Sequence, residues 1–308
     1  MINWRGDPWG LTCGCIMAFA AALSFAAARA GIVAGLGPAE LILVRFTVAG
    51  LALLPLLWRW GLPSLAGVGW PKALVLLVLG GPAFAFLQVS GFAFAPLAHG
   101  AIIIPSTVTI FATIMAGLFL RERLSAWHIG GAVLVVVGII LIGGEGVMTA
   151  AASGRAWIGD LLFFVSSLLW ASFSVMIRHW RLDAVRAVAA VSVLAMIVTI
   201  PVYFSLVGPS HFRTLPLFPM LLQCLVQGGL QGVIGVMTYS HSIRVLGVSR
   251  AVLFPATVPA LSILLGIPIV GELPSMIQIY GLILVTIGLV SAIGLVKRII
   301  GRGRQANG

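Results

Sequence analysis

The chain repeatedly runs for roughly twenty residues with at most two charged side chains, and this limits its fold more than any other feature. A helix gains about 1.5 Å per residue, so such a run crosses a hydrocarbon core of about 30 Å. Reading the runs between Gly, Pro and Arg breakers gives ten: 10–32, 39–58, 72–95, 98–120, 127–144, 157–179, 185–206, 217–242, 248–270 and 275–296. Composition agrees with lipid as the solvent. Only 8% of the residues are charged and the mean hydropathy is +1.17, where a soluble domain carries about 25% charged residues. The predicted class is therefore an all-α polytopic membrane protein with ten transmembrane helices.

The net charge of +11 does not point to nucleic acid, because the basic residues sit a few at a time between apolar runs. There they report topology. With the N-terminus inside, 14 of the 18 Lys and Arg residues fall on inner segments. Arg155 and Arg213 are outside, and Arg29 and Arg45 lie within spans. Both termini are thus expected in the cytoplasm of a bacterium, with the chain in its inner membrane. The Ala26-Ala27-Ala28 end of the first run is not expected to be a cleavage site, since nine further spans follow and this run has a second copy. Cys13, Cys15 and Cys224 all lie in apolar runs and are expected to pack as small apolar residues. No metal-ligand spacing occurs, and no cofactor or metal is expected.

The chain repeats itself. Shifted by 150 residues, Ala101, Pro105, Thr107, Glu122, Gly131 and Gly138 fall on Ala251, Pro255, Thr257, Glu272, Gly281 and Gly288. Shifted by 148, Trp9, Ser24 and Phe25 fall on Trp157, Ser172 and Phe173. This divides the chain into residues 1–146 and 147–308, five spans each. Five is odd, so the second copy enters the membrane upside down. The charges agree: Arg121 and Arg123 flank Glu122, whereas Gly271 and Leu273 flank Glu272. Two inverted five-helix repeats around a central cavity are a recurrent transporter plan, with substrate near the midplane.

An Ala-x3-Pro in the fourth helix of each unit, a Glu at the fourth–fifth turn and a fifth helix opening Gly-x6-Gly resemble the EamA-type transporters of the drug/metabolite transporter superfamily. Arg45 and Trp170 also stand where that family often has Arg and Trp. The resemblance covers essentially the whole chain. It implies a ten-helix bundle, a central cavity, alternating access, and export of amino acids or other metabolites. The related four-helix drug exporters carry a Glu in their first helix. The first span here has none, so obligatory proton coupling is not expected.

Polar side chains within spans are costly and usually face the protein interior or a water-filled path. Gln223, Gln227 and Gln231, four apart, make one stripe of span eight, beside a second stripe of Gly228, Gly232 and Gly235. Two roles fit Gln227 and Gln231: a cavity wall that hydrogen-bonds substrate, or bonds between helices. For Gln223 the second is expected. Trp170 is the mid-span tryptophan, where the other eight mark span ends. Its N–H needs a partner, and Ser166 and Ser174 lie a turn away. It either lines the cavity or packs in the core. Gln88, Ser24, Ser172, Thr107 and Thr257 complete the candidate substrate-binding set, the Ser and Thr hydroxyls having backbone bonding as the alternative. Pro105 and Pro255 are candidate hinges, or static kinks, and Pro259 and Pro268 make span nine the expected irregular helix. Arg29, Glu40 and Arg45 are expected to form an ion-pair cluster, unless Arg45 attracts an anionic group of the substrate.

The glycine pairs at 131/138 and 281/288 should pack the fifth and tenth spans on each other or across a dimer, so a monomer or homodimer is expected. The partners implied are a small-molecule substrate and the lipid bilayer, with no nucleic acid. The reading is an exporter of amino acids, aromatic ones among them, or similar metabolites. A multidrug or organic-phosphate transporter shares the fold. A membrane-embedded enzyme on lipid-linked substrates would need acid–base pairs or metal ligands that the spans lack.

Overall fold

The computed structural model describes residues 8–120, 129–141, 155–247, 251 and 253–292. The expected fourth–fifth turn with Arg121, Glu122, Arg123 and Trp127, most of the joint between the halves, Arg250 and the basic C-terminal residues lie outside them, as do Trp4, Gly144 and Gly294. The described residues form helices and turns, with no strand. In lipid only a helix or a closed barrel satisfies its own backbone groups, and this sequence lacks the alternation that a barrel needs.

The helices are α1 (Pro8–Val33), α2 (Pro38–Trp60), α3 (Trp70–Gly80), α4 (Pro82–Phe94), α5 (Leu97–Leu120), α6 (Ile129–Leu141), α7 (Ala156–His179), α8 (Ala184–Leu206), the short α9 (Pro209–Thr214), α10 (Leu217–Gln223), a π-helical segment (Cys224–Gly235), α11 (Val236–Leu246), α12 (Leu253–Val270) and α13 (Met276–Ala292). Seven stretches are long and apolar enough to cross a membrane, and Leu97–Phe111, Ile129–Leu141 and Met276–Ser291 are shorter apolar helices. Helix starts follow local chemistry. Gly37-Pro38, Gly69-Trp70-Pro71 and Gly81-Pro82 each place a proline in the first turn, where its missing N–H leaves no bond unmade. Asp183 starts α8 by accepting from the Arg186 N–H at 2.9 Å.

Two expectations about regularity are corrected. The third run is not one continuous helix but breaks between α3 and α4 at Gly81, where the backbone leaves helical geometry (φ −97°, ψ −141°) and Pro82 cannot continue the ladder. The most irregular helix is the eighth run, through its π-helical middle, rather than the proline-rich α12, which stays α-helical over Pro259 and Pro268.

Contacts exchange between the halves. α1 packs on α12, and its repeat counterpart α7 packs on α5, the counterpart of α12. α7 packs on α3 and α4, and α1 packs on the π segment and α11. α2 and α8 pack on each other. α6 and α13 meet through their glycines, so the expected packing of these two spans on each other is what the fold adopts. A Cβ on Gly138 would stand 2.9 Å from the Gly281 carbonyl oxygen, and one on Gly288 2.7 Å from the Gly131 carbonyl oxygen. Only glycine allows backbones this close. Cys13, Cys15 and Cys224 are free thiols, and Trp9, Trp58, Trp70 and Trp157 are exposed near helix ends, as an interfacial belt requires.

Candidate functional site

The eighth run is the helix whose backbone departs most from the sequence expectation. Twelve residues, Cys224–Gly235, wind as a π-helix between α10 and α11. π-helical turns are rare, are usually single, and gather at functional sites. Four glycines at 228, 229, 232 and 235 weaken the α-helical preference here. A π turn takes roughly 4.4 residues, so side chains four apart still share a face. The glutamine stripe therefore survives the change of helix type.

That stripe faces α1. Gln223 and Gln227 are both buried. Gln223 Nε2 donates to the Ala27 carbonyl at 2.6 Å, and Gln227 Nε2 donates to the Ser24 carbonyl at 2.7 Å. The two amides climb α1 one turn at a time. Gln231 lies one step further along, where its Oε1 is buried without a partner, as is Gln223 Oε1. The neighbouring glycines face α2: a Cβ on Gly228 would stand 2.4 Å from Val48 Cβ, and one on Gly232 3.0 Å from Ala49 Cβ. The π segment is thus wedged between α1 and α2, with amides on one side and bare backbone on the other.

A second group centres on Trp170 of α7. Its ring stacks on Phe84 of α4 at 4.8 Å and on Phe173 at 4.9 Å. The expected serine partners do not hold the indole. Ser166 donates to the Phe163 carbonyl and Ser174 to the Trp170 carbonyl, because a serine in a helix reaches its own backbone first. Phe46 of α2 packs into the same cluster with Phe84 and Ala85. Gln88, a turn beyond Phe84, is half-buried and makes no hydrogen bond among the described residues.

The hydroxyl candidates divide. Ser24 donates to the Ala21 carbonyl and Ser172 to the Leu168 carbonyl, with Met115 Sδ at 3.7 Å from Ser172 Oγ. Thr257 is exposed on α12 and bonds back to Phe254, whereas its repeat partner Thr107 is buried with its hydroxyl unpartnered, as is Ser106. Pro105 lies inside α5, and Thr109 Oγ1 donates to its carbonyl. Its repeat counterpart Pro255 is the third residue of α12.

The expected cluster of Arg29, Glu40 and Arg45 does not form, because each is drawn to a different helix. Arg29 Nε pairs with Glu272 Oε1 at 2.6 Å and donates through a second nitrogen to the Phe92 carbonyl. Glu272 Oε2 accepts from the Leu97 N–H at 2.7 Å, at the start of α5, where a helix N-terminus favours an anion. Glu40 is buried, accepts from the Tyr203 hydroxyl at 3.0 Å and lies 3.4 Å from His211 Nε2. Among the described residues Arg45 has only the ring of Phe46, 5.8 Å from its guanidinium carbon. A further pair escaped the sequence reading: His99 Nδ1 of α5 lies 2.8 Å from Asp160 Oδ1 of α7. Residues 61 positions apart in unrelated runs give no sequence signal of their meeting. Beside the Arg29–Glu272 pair is a cavity of about 380 Å³, lined by Leu97, Ala98, Glu272 and Gln278 among others. Among the described residues no three His, Cys, Asp or Glu side chains gather as metal ligands.

Comparison with known proteins agrees with this architecture. The chain is 27% identical over 258 residues to the "Uncharacterized inner membrane transporter YedA" of Escherichia coli (strain K12), covering 80% of each chain. It is 24% identical over 234 residues to the "Uncharacterized transporter YyaM" of Bacillus subtilis (strain 168), covering 73% of each. A solved crystal structure, 21% identical, shares the fold with a TM-score of 0.61 over 94% of this chain and 99% of that one. The model of the EamA-like transporter family matches residues 8–144 and again 157–294. The chain therefore belongs to the EamA-like transporter family and is a membrane transporter built from two copies of its domain.

Proposed function

We propose that this transporter exports amino acids, aromatic ones among them, or similar small metabolites across a bacterial inner membrane by alternating access. Ten spans in two inverted repeats, residues 1–146 and 147–308, would rock about a central path, with both termini in the cytoplasm. The observation that carries the reading is the π-helical wedge at Cys224–Gly235. Helices that lose regular α geometry at depth are where transporters of this general plan build their sites. It sets Gln227 and Gln231 on its α1 side, close to the Ser24 turn, and bare glycines against α2.

The substrate path we assign is lined by Trp170, Gln88, Gln227 and Gln231, with Ser24, Ser172 and Thr107 alongside. Thr257 joins it only in a state that turns α12 inward. The partly exposed Trp170, backed by the buried Phe84, offers flat apolar surface, and amides supply a few directional hydrogen bonds. That mixture suits a small molecule with an apolar body and a polar end. Pro105, inside α5 and beside two unpartnered hydroxyls, is the hinge candidate, and Pro255 its counterpart.

The test is efflux. Cells expressing the chain are loaded with a phenylalanine-containing dipeptide, and the amino acid released to the medium is followed. Faster release than from cells carrying an empty vector, lost on Trp170→Ala at equal membrane abundance, supports the proposal. Release equal to the control for every amino acid, with the protein present and folded, refutes it.

A further inference from the structure

The charges buried in this bundle are unequally satisfied. Every described carboxylate has a partner: Glu40 has Tyr203 and His211, Asp160 has His99, Asp183 has the Arg186 N–H, and Glu272 has Arg29 and the Leu97 N–H. Arg45 has none. Among the described residues it makes no ion pair or hydrogen bond. It stands about 10 Å along α2 from Pro38, counting about 1.5 Å per residue. It is half-buried. Its helix is clamped on both sides, by the π segment at Val48 and Ala49 and by α8 at Gly50. An arginine at this depth without a counter-charge is costly, and such residues mark ion and substrate paths.

What lies beside it narrows the ligand. Phe46 stacks under the guanidinium and packs with Phe84, which stacks on Trp170. One cation thus stands at the end of an aromatic cluster whose Phe46 and Phe84 are buried and whose Trp170 is partly exposed. A single guanidinium matches the single charge and planar fork of a carboxylate. A phosphate monoester carries roughly −1.5 to −2 and would keep charge uncompensated here. Since no described carboxylate is left over, nothing in the described helices demands an ammonium on the cargo, although the unpartnered Gln231 Oε1 can accept from one.

We infer that Arg45 is the anchor for a carboxylate on the transported molecule, whose apolar body lies against Trp170, the partly exposed member of the Phe46–Phe84–Trp170 cluster. The cargo class is small carboxylic acids with an apolar or aromatic body, of which amino acids are a subset. This rests on the transport reading above and sharpens it. The competing role for Arg45 is purely structural, a side chain stretched toward lipid headgroups.

The experiment is counterflow into proteoliposomes of the full chain, with labelled phenylalanine, 3-phenyllactate, phenethylamine and phenyl phosphate, for the wild type, R45K and R45Q. The expected result is entry of 3-phenyllactate and exclusion of phenethylamine and phenyl phosphate. R45Q raises the half-saturating concentration of 3-phenyllactate by roughly 10- to 100-fold, the worth of a charge-assisted bond, and R45K raises it less. As competitors, the acid outranks its carboxamide in the wild type, and R45Q brings the two level. A weakened but folded protein would leave that ratio alone. Entry of 3-phenyllactate without phenylalanine would remove the amino-acid reading and uphold the anchor. The anchor is overturned by an acid-to-amide ratio within twofold of wild type in R45Q, by entry of phenethylamine or phenyl phosphate, or by entry of no carboxylate at all through the folded protein.

Discussion

Glu272→Gln should loosen one face of the transporter by a measurable amount. The carboxylate ties three elements at once: it pairs with Arg29 of α1 at 2.6 Å and accepts the Leu97 N–H of α5 at 2.7 Å, while Arg29 also holds the carbonyl of Phe92 at the end of α4. Glutamine keeps the shape and one acceptor oxygen but removes the charge. Hydrogen bonds to charged groups contribute about 1.5–3 kcal/mol when buried, and exposed ion pairs about 0.2–1 kcal/mol. The two side chains here are 20% and 26% exposed, so the loss should lie between those ranges, about 1–2 kcal/mol. That is roughly a 5- to 30-fold change in the ratio of closed to open at this face. Ala98 lines the adjoining cavity and is only 7% exposed. With Cys13, Cys15 and Cys224 replaced by Ala, a cysteine at 98 reports opening through its rate of reaction with a membrane-impermeant maleimide, added to whole cells on the outside, where the basic-residue bias puts Glu272. The rate should rise by that factor in E272Q and in R29Q, and in the double variant by less than the product of the two, since they share the ion pair while each also has a bond of its own. Rates within twofold of the parent, or additive effects, would refute the latch.

Other substitutions test other parts of the structure. Gly288→Ala places a methyl group 2.7 Å from the Gly131 carbonyl oxygen and should cost about 1–3 kcal/mol by overpacking; a lower Tm of the purified protein with unchanged substrate preference checks it. Gln223→Leu and Gln227→Leu each remove one amide bond to α1 and should each cost about 1 kcal/mol in thermal unfolding. Of the two, only Gln227→Leu should also raise the half-saturating substrate concentration. Trp170→Phe keeps a ring between Phe84 and Phe173 and should keep transport within a few-fold, whereas Trp170→Ala should abolish it; equal activity of the two would remove the stack from the path.

The architecture was legible because lipid leaves a chain few choices. Runs such as 39–58 and 185–206 match α2 and α8 within a few residues, and the glycines at 131, 138, 281 and 288 announced the contact of α6 with α13. Periodicity also placed the glutamine stripe on one face. It could not say that this face bonds the Ala27 and Ser24 carbonyls, because an amide four residues from the next looks the same in an α- or a π-helix. The pairing of charges was least legible. Arg29 and Glu40 are near in sequence and both end spans on one face, yet Arg29 meets Glu272 and Glu40 meets Tyr203, each 163 or more positions away. Those meetings depend on how the second half folds onto the first. Of the candidate site, residue types were readable and partners were not. Phe84 was one aromatic among many in the sequence, and only packing on Trp170 singles it out.

On the proposed function the chain moves amino acids, aromatic ones among them, through a path between its two halves. Counterflow in proteoliposomes preloaded with unlabelled phenylalanine, following labelled phenylalanine outside, tests it most directly. Transient accumulation of label above the equilibrium level, lost in both W170A and R45Q, is the expected result. A folded, reconstituted protein that accumulates no label, or that accumulates it equally well in both variants, would contradict it.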